Sequence, residues 1–201
     1  MYKLYDFLPS GNSYKIRLLL NLLEISYQRI DVNILNKETR TPEFLAKNPN
    51  GKIPVLEIAP EQYLAESNAI LYYLSQGTEF FPQDKYLQAK VMQWLFFEQF
   101  SHEPNLATAR YWISILKQPE QYTAQLEQKH RLGNMALQVM ERHLSDRHFL
   151  VGEQYTIADI ALYGYTHVAH EGGFDLNQYP LISAWLQRVA GHSRHISIGD
   201  R

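Results

Sequence analysis

The stretch Asn48-Pro49-Asn50-Gly51-Lys52-Ile53-Pro54-Val55-Leu56 decides how this chain folds. It ends in Ile-Pro followed by an apolar strand. Proline lacks the N–H of a ladder hydrogen bond, so Pro54 belongs at a strand's first position or on an edge. An X-Pro bond is the only peptide bond that readily turns cis, and a fixed cis proline is usually a deliberate feature. A cis Ile53-Pro54 bond is expected to turn the amide and carbonyl of Ile53 outward, where an extended peptide can pair with them. Shortly after comes Ala65-Glu66-Ser67-Asn68-Ala69-Ile70. Glu66-Ser67 opens a helix there, and the free N–H groups of a helix start attract a carboxylate. The two fragments together describe a socket for a small peptide with a charged end.

Upstream, Tyr2 to Phe7 reads as a short strand, broken by Pro9, Ser10 and Gly11. Asn12 or Ser13 can cap the helix that follows. Its Ile16, Leu19, Leu20 and Leu23 recur at i, i+3, i+4 and i+7, one apolar face. Ile30, Val32 and Ile34 alternate as a second strand should. Thr41-Pro42-Glu43 is a helix start, with Thr at the cap and Pro in the first turn. Val55, Leu56 and Ile58 form a third strand, Pro60-Glu61 a turn, and Tyr63 to Ala65 a fourth. The first 76 residues thus read β-α-β-α-β-β-α, with a parallel first pair and an antiparallel last pair.

Residues 77–84 read as a linker. Beyond it, helical patterns run at 85–117, 121–145, 156–170 and 178–190, and residues 85–201 are expected to form an all-α domain. Thr156-Ile157-Ala158-Asp159 is a capping-box-like start with Asp in the reciprocal position.

Composition narrows the function classes. Nineteen basic against 21 acidic residues leave no field that steers the chain to nucleic acid or membrane. The longest apolar stretches, such as Ile16 to Leu23, are too short to span a bilayer. The N-terminus carries no signal-peptide pattern. Cysteine is absent, which fits a cytoplasmic protein and excludes any mechanism in which the protein supplies a thiol. Sulfur chemistry here must use the ligand's sulfur.

This order of parts resembles the cytosolic glutathione transferase family, in which a thioredoxin-like N-terminal domain precedes a helical C-terminal one. The resemblance rests on Pro-Glu-Phe-Leu at 42–45, the 48–56 stretch, Glu66-Ser67 and Thr-Ile-Ala-Asp at 156–159, in order and at family-like spacing. It implies glutathione as a co-substrate, with no permanently bound cofactor, no metal, and a cytoplasmic homodimer. Ser10 resembles the hydroxyl residue of classes, theta among them, that use one in this loop. Asn12 resembles the asparagine of the bacterial Nu class, whose members favour disulfide-bond reduction.

That resemblance casts Ser10 and Asn12 as the groups that hold the thiolate, with Ser13 next to them. The same three residues also suit the bland role of making the turn and capping the helix. Tyr5, the candidate for tyrosine-using classes, is out of register with the helix. Ile53 and Pro54 would receive the cysteinyl backbone, Glu66 the γ-glutamyl amine, and Ser67 its carboxylate. Thr39 and Lys52, with Arg40 as a further cation, would meet the glycine end. His102, Leu106 and Arg110 share one helical face and are expected to wall the second-substrate pocket. Arg110 either binds an anionic substrate or pairs with Glu103. His167 and His170 lie one turn apart but lack a third zinc ligand in the pattern. The alternative to an enzyme is a non-catalytic interaction module of the same fold. Such modules tend to lose the helix-start hydroxyl or the Glu-Ser pair, and both are present here.

Overall fold

The computed structural model describes residues 1–200, and they divide into two compact units. One runs from Met1 to Gln76 and takes back the chain from Ser193 onward; the other is Gly77–His192. The helical domain expected to run from 85 to the C-terminus is therefore corrected at its end, which packs with the first unit.

In the first unit, β1 (Tyr2–Asp6), α1 (Gly11–Leu22), β2 (Tyr27–Asp31), α2 (Pro42–Leu45), β3 (Val55–Ala59), β4 (Gln62–Ala65) and α3 (Ser67–Ser75) follow the expected order. The sheet order is β2-β1-β3-β4. β1 and β2 are parallel, whereas β3 runs antiparallel to both β1 and β4. Register pairs Leu4 with Leu56 and Leu56 with Leu64, so one sheet face is a row of leucines. The neighbouring pairs, Tyr5 with Val55 and Val55 with Ala65, line the opposite face. There they meet Val32 and Phe44, the latter from α2. Helices α1 and α3 pack against each other. Ile16, Leu19 and Leu20 are fully buried, as are Ile70 and Leu71. Each such side chain contributes about 1.5–3 kcal/mol of burial free energy.

The polar stretch before α2 is not featureless. It makes two 3-10 turns, Ile34–Asn36 and Glu38–Arg40. Asn33 caps the first of them through its side chain.

The tail from Ser193 onward owes its place to side chains of α1. The Tyr14 hydroxyl donates to the Ile196 carbonyl at 2.7 Å, and Asn21 donates to Arg194 O at 2.7 Å. Fully buried Arg17 donates to Ile198 O and Asp200 O at 3.0 and 2.7 Å. Its Nε lies 3.2 Å from the Asp6 carboxylate, which Arg29 approaches at 3.1 Å.

In the second unit the helical pattern at 85–117 is interrupted before Pro104, as that proline leads one to expect. α4 (Lys85–Phe97) passes into a π-helical turn at Glu98–His102, then α5 (Glu103–Arg110), then a second π turn at Tyr111–Ile115. Pro104 has no N–H for the preceding turn, and the wide turn sits directly before it. α6 (Thr123–His143), α7 (Ile157–Thr166) and α8 (Pro180–Ala190) complete the unit. All ten residues of α7 are buried. The capping box at Thr156 forms as expected. Asp159 also accepts from Leu150 N and from Trp185 Nε1, each at 2.9 Å, and so ties three segments together. Among the described residues, no helix is long and apolar enough to cross a membrane.

Candidate functional site

The start of α1 sets the first part of the site. Ser10 is the N-cap: its backbone is extended, and its Oγ accepts from Ser13 N at 3.3 Å. A hydroxyl has two lone pairs and one proton, so capping occupies an acceptor and leaves the O–H able to donate. Capping and anion binding are thus compatible in one side chain. Ser13 is fully buried and its Oγ has no hydrogen-bond partner among the described residues.

Asn12, in the first turn of α1, meets the start of α3. Its Oδ1 accepts from Ser67 Oγ at 3.3 Å and from Lys15 Nζ at 2.8 Å. Lys15 Nζ also approaches Ser67 Oγ at 3.4 Å. Lys15 is fully buried. Sequence reading passed over it because the apolar period of α1 steps across position 15. Two signals were nonetheless there. A cation near the start of a helix opposes the helix dipole, and i, i+3 spacing puts Lys15 beside Asn12.

Glu66 precedes α3 with φ 67° and ψ 113°, an uncommon backbone state for a side-chain-bearing residue, and its side chain is exposed. Such a state costs about 1–3 kcal/mol, and residues held in it cluster at functional sites. Ser67 is buried.

The Ile53-Pro54 bond is cis. Pro54 is buried and Ile53 half-buried, packed against the Val32, Phe44 and Val55 cluster. The loop before them is pinned by Asn48, whose Nδ2 donates to Lys52 O at 2.8 Å. Gly51 takes φ +62°, and a Cβ there would stand 3.0 Å from the Thr39 carbonyl and closer still to the Arg40 guanidinium. Arg40 also donates to Asn50 O at 3.2 Å. Thr39, Arg40, Gly51 and Lys52 therefore come together as one loop cluster. Thr39 is buried and Lys52 exposed.

Tyr5 is committed elsewhere, as its register suggested. Its hydroxyl donates to Glu57 Oε2 at 3.0 Å. Burial first, then the Glu57 carboxylate, push the phenol well above its ordinary pKa.

His102, Leu106 and Arg110 are the three residues expected to wall a second pocket. They do share a face, but it turns into the helical unit. His102 and Leu106 are 0% and 1% exposed, and Arg110 is 6% exposed. Thr166 gives its one proton to Leu162 O at 2.6 Å, so its contact with His102 Nε2 at 2.9 Å is donated by the histidine. Arg110 Nε donates to Glu171 at 2.8 Å, an acceptor not anticipated from its own helix. His167 Nδ1 lies 2.6 Å from Tyr163 O, one turn back on α7.

The chain matches two family profiles: the N-terminal domain of glutathione S-transferase over residues 1–76, and its C-terminal domain over residues 87–192. It is 31% identical to the disulfide-bond oxidoreductase YfcG of Escherichia coli (strain K12), covering 91% of this chain and 87% of that one. The crystal structure of a glutathione S-transferase from Pseudomonas fluorescens Pf-5 superposes with a TM-score of 0.97 at 53% identity, over 99% of each chain. A second family member from that organism, solved with two glutathiones bound, superposes with a TM-score of 0.83 at 26% identity, over 96% of this chain and 89% of that one.

Proposed function

We propose, on the premise that this chain belongs to the glutathione S-transferase family and is a glutathione transferase, that Ser10 and Asn12 ionise the thiol of bound glutathione. A free cysteinyl thiol has a pKa of about 8.5, and only the thiolate attacks an electrophile. Lowering the pKa by about two units takes about 2.7 kcal/mol of preferential thiolate stabilisation. A charge-assisted hydrogen bond is worth about 1.5–3 kcal/mol. Two donors at the start of a twelve-residue helix therefore suffice, with the dipole adding to them. The observation that carries this reading is Ser10, whose hydroxyl caps α1 through its oxygen and keeps its proton for an anion.

The remaining contacts follow from the tripeptide. The Ile53 main chain, ahead of Pro54, would pair with the cysteinyl backbone. Glu66 would take the γ-amine, and the Ser67 hydroxyl with its helix start the α-carboxylate. Ser13 sits below Ser10 as support. Thr39 and Lys52 would meet the glycine carboxylate. With no cysteine in the chain, both electrons for disulfide reduction must come from two glutathiones: a disulfide accepts them, yields two thiols, and leaves glutathione disulfide. The YfcG likeness and the relative holding two glutathiones favour this reaction over conjugation. The cysteine-free composition suits the reducing cytoplasm, and the family likeness supports a homodimer.

Calorimetry with glutathione and its disulfide, on the wild type, Ser10→Ala and Asn12→Ala, tests the reading. Binding by all three chains with a raised thiol pKa in both variants is expected. Full turnover in both variants would move the thiolate role elsewhere, and no binding by the wild type would sink the site.

A further inference from the structure

We propose that Lys15 is a positioning residue that fixes which end of the Asn12 carboxamide meets the thiolate. The proposal rests on the reading that Asn12 is a donor to sulfur. A carboxamide has an acceptor end and a donor end of nearly equal shape, and a half-turn about its last bond exchanges them. Only the NH2 end stabilises a thiolate; the oxygen end repels it. An ammonium carries three donors and no acceptor, so the atom that Lys15 Nζ meets at 2.8 Å must be the oxygen. Ser67 Oγ donates to the same oxygen at 3.3 Å, but its one proton is also the one a bound carboxylate would take, so Lys15 is the lasting hold. With Oδ1 held by the ammonium, the two N–H donors of the carboxamide are fixed on its opposite side.

The placement of Lys15 makes this hold strong. The side chain is fully buried on α1, three positions after Asn12, in the second turn of a helix whose remaining buried face is mostly apolar. A hydrogen bond to an ionised donor is about twice as strong as a neutral one. Turning the carboxamide over would set its NH2 against a buried ammonium, which has no acceptor to offer it. Ser67 alone would permit that rotation, because a hydroxyl accepts as readily as it donates. Lys15 is the member of the trio that gives the orientation a direction.

The test is the pH titration of bound glutathione, followed by the ultraviolet absorbance of its thiolate, in the wild type, Lys15→Met, Asn12→Ala, the double variant of these two, and Ser10→Ala. Lys15→Met keeps the length of the stem and removes the donor. Its midpoint is expected to rise by about one unit, a tenfold loss of thiolate at a pH below the midpoint. The double variant should be no worse than Asn12→Ala alone, because Lys15 acts through Asn12. An unchanged midpoint in Lys15→Met beside a raised one in Asn12→Ala overturns the proposal and leaves the thiolate reading intact. Additive shifts overturn it as well, since they would mean that Lys15 acts on sulfur directly. Unchanged midpoints in both Asn12→Ala and Ser10→Ala would instead defeat the reading beneath it. A purely structural role would lower the melting temperature with the midpoint unmoved. If Lys15→Met does not fold, Lys15→Gln replaces it; a neutral donor holds Asn12 more weakly, and an unchanged midpoint there overturns the proposal.

Discussion

The Tyr14 hydroxyl holds the main-chain carbonyl of Ile196 at 2.7 Å, across 182 positions of sequence. Arg17, one turn further along α1, does the same for Ile198 and Asp200, and its Nη2 donates to Leu8 O at 2.7 Å. The tail is thus held by side chains grasping backbone. Removing one member of a buried ion pair costs about 3–5 kcal/mol. Arg17→Met is expected at the lower end of that range, because Arg29 remains beside Asp6. Tyr14→Phe should cost about 1 kcal/mol. Urea denaturation measures both, and amide exchange at Ile196 and Ile198 should quicken in each variant.

Asp159 makes the helical unit sensitive to pH. Burial raises its pKa to about 6, against the opposing pull of the hydrogen bonds from Thr156, Leu150 and Trp185. The native state therefore keeps a proton that the unfolded chain, with its ordinary carboxylate value near 3.8, has already released. Between these two values the unfolded state binds fewer protons, so stability falls as pH rises and levels off above about 6. The full shift corresponds to a change on the order of 3 kcal/mol. Asp159→Asn cannot ionise. Subtracting its stability-versus-pH curve from the wild type's should leave a decline confined to that window; a flat difference would show that Asp159 ionises normally.

Gly133 in α6 is a place where helix propensity gives the wrong answer. Alanine is favoured over glycine inside a helix by about 1 kcal/mol. A Cβ at 133, however, would press into the edge of the Phe174 ring and stand 3.1 Å from Leu106 Cδ1. Phe174 is buried and its ring lies edge-on to His130, so it has little room to yield. Overpacking costs about 1–3 kcal/mol. Gly133→Ala is expected to lower stability by about 1 kcal/mol net, read as a lower melting temperature with helix content unchanged.

Glu66 should show stability and binding moving in opposite directions. Glycine adopts positive φ freely, so Glu66→Gly relieves strain of about 1–3 kcal/mol and loses about 1 kcal/mol to unfolded-state entropy. The variant is expected to be as stable as the wild type or more so. It should bind glutathione about tenfold more weakly, since the amine loses its carboxylate. Denaturation and calorimetry on the same preparation separate the two effects.

The fold was legible because its signals are local. Pro54 at a strand mouth, Thr41-Pro42 and Thr156 with Asp159 each carry their geometry within a few residues. The positions of Ser10, Asn12 and Ser67 at helix starts were legible for the same reason. Lys15 was hidden by its surroundings: between Tyr14 and Ile16 it resembles any charge on an amphipathic helix, and only the pairing of α1 with α3 brings Ser67 to it. His102, Leu106 and Arg110 were placed correctly on one face. Which way that face turns depends on Thr166 and Glu171, more than 60 positions away. The tail after Ser193 has no period to read, because what holds it is mostly its own carbonyls, with Arg194 adding a contact to Leu22 O and Glu24.

The N-cap bond from Ser13 N to Ser10 Oγ separates two properties that usually travel together in an enzyme. The helix asks position 10 only for an oxygen with a lone pair, whereas the sulfur asks it for a proton. Aspartate answers the first demand as well as serine does and cannot answer the second. Ser10→Asp would give a chain that folds and presents the same surface but meets glutathione with a negative charge where the thiolate should form. It would be an inert decoy, useful for telling what the cell needs from the chemistry and what it needs from the molecule's shape.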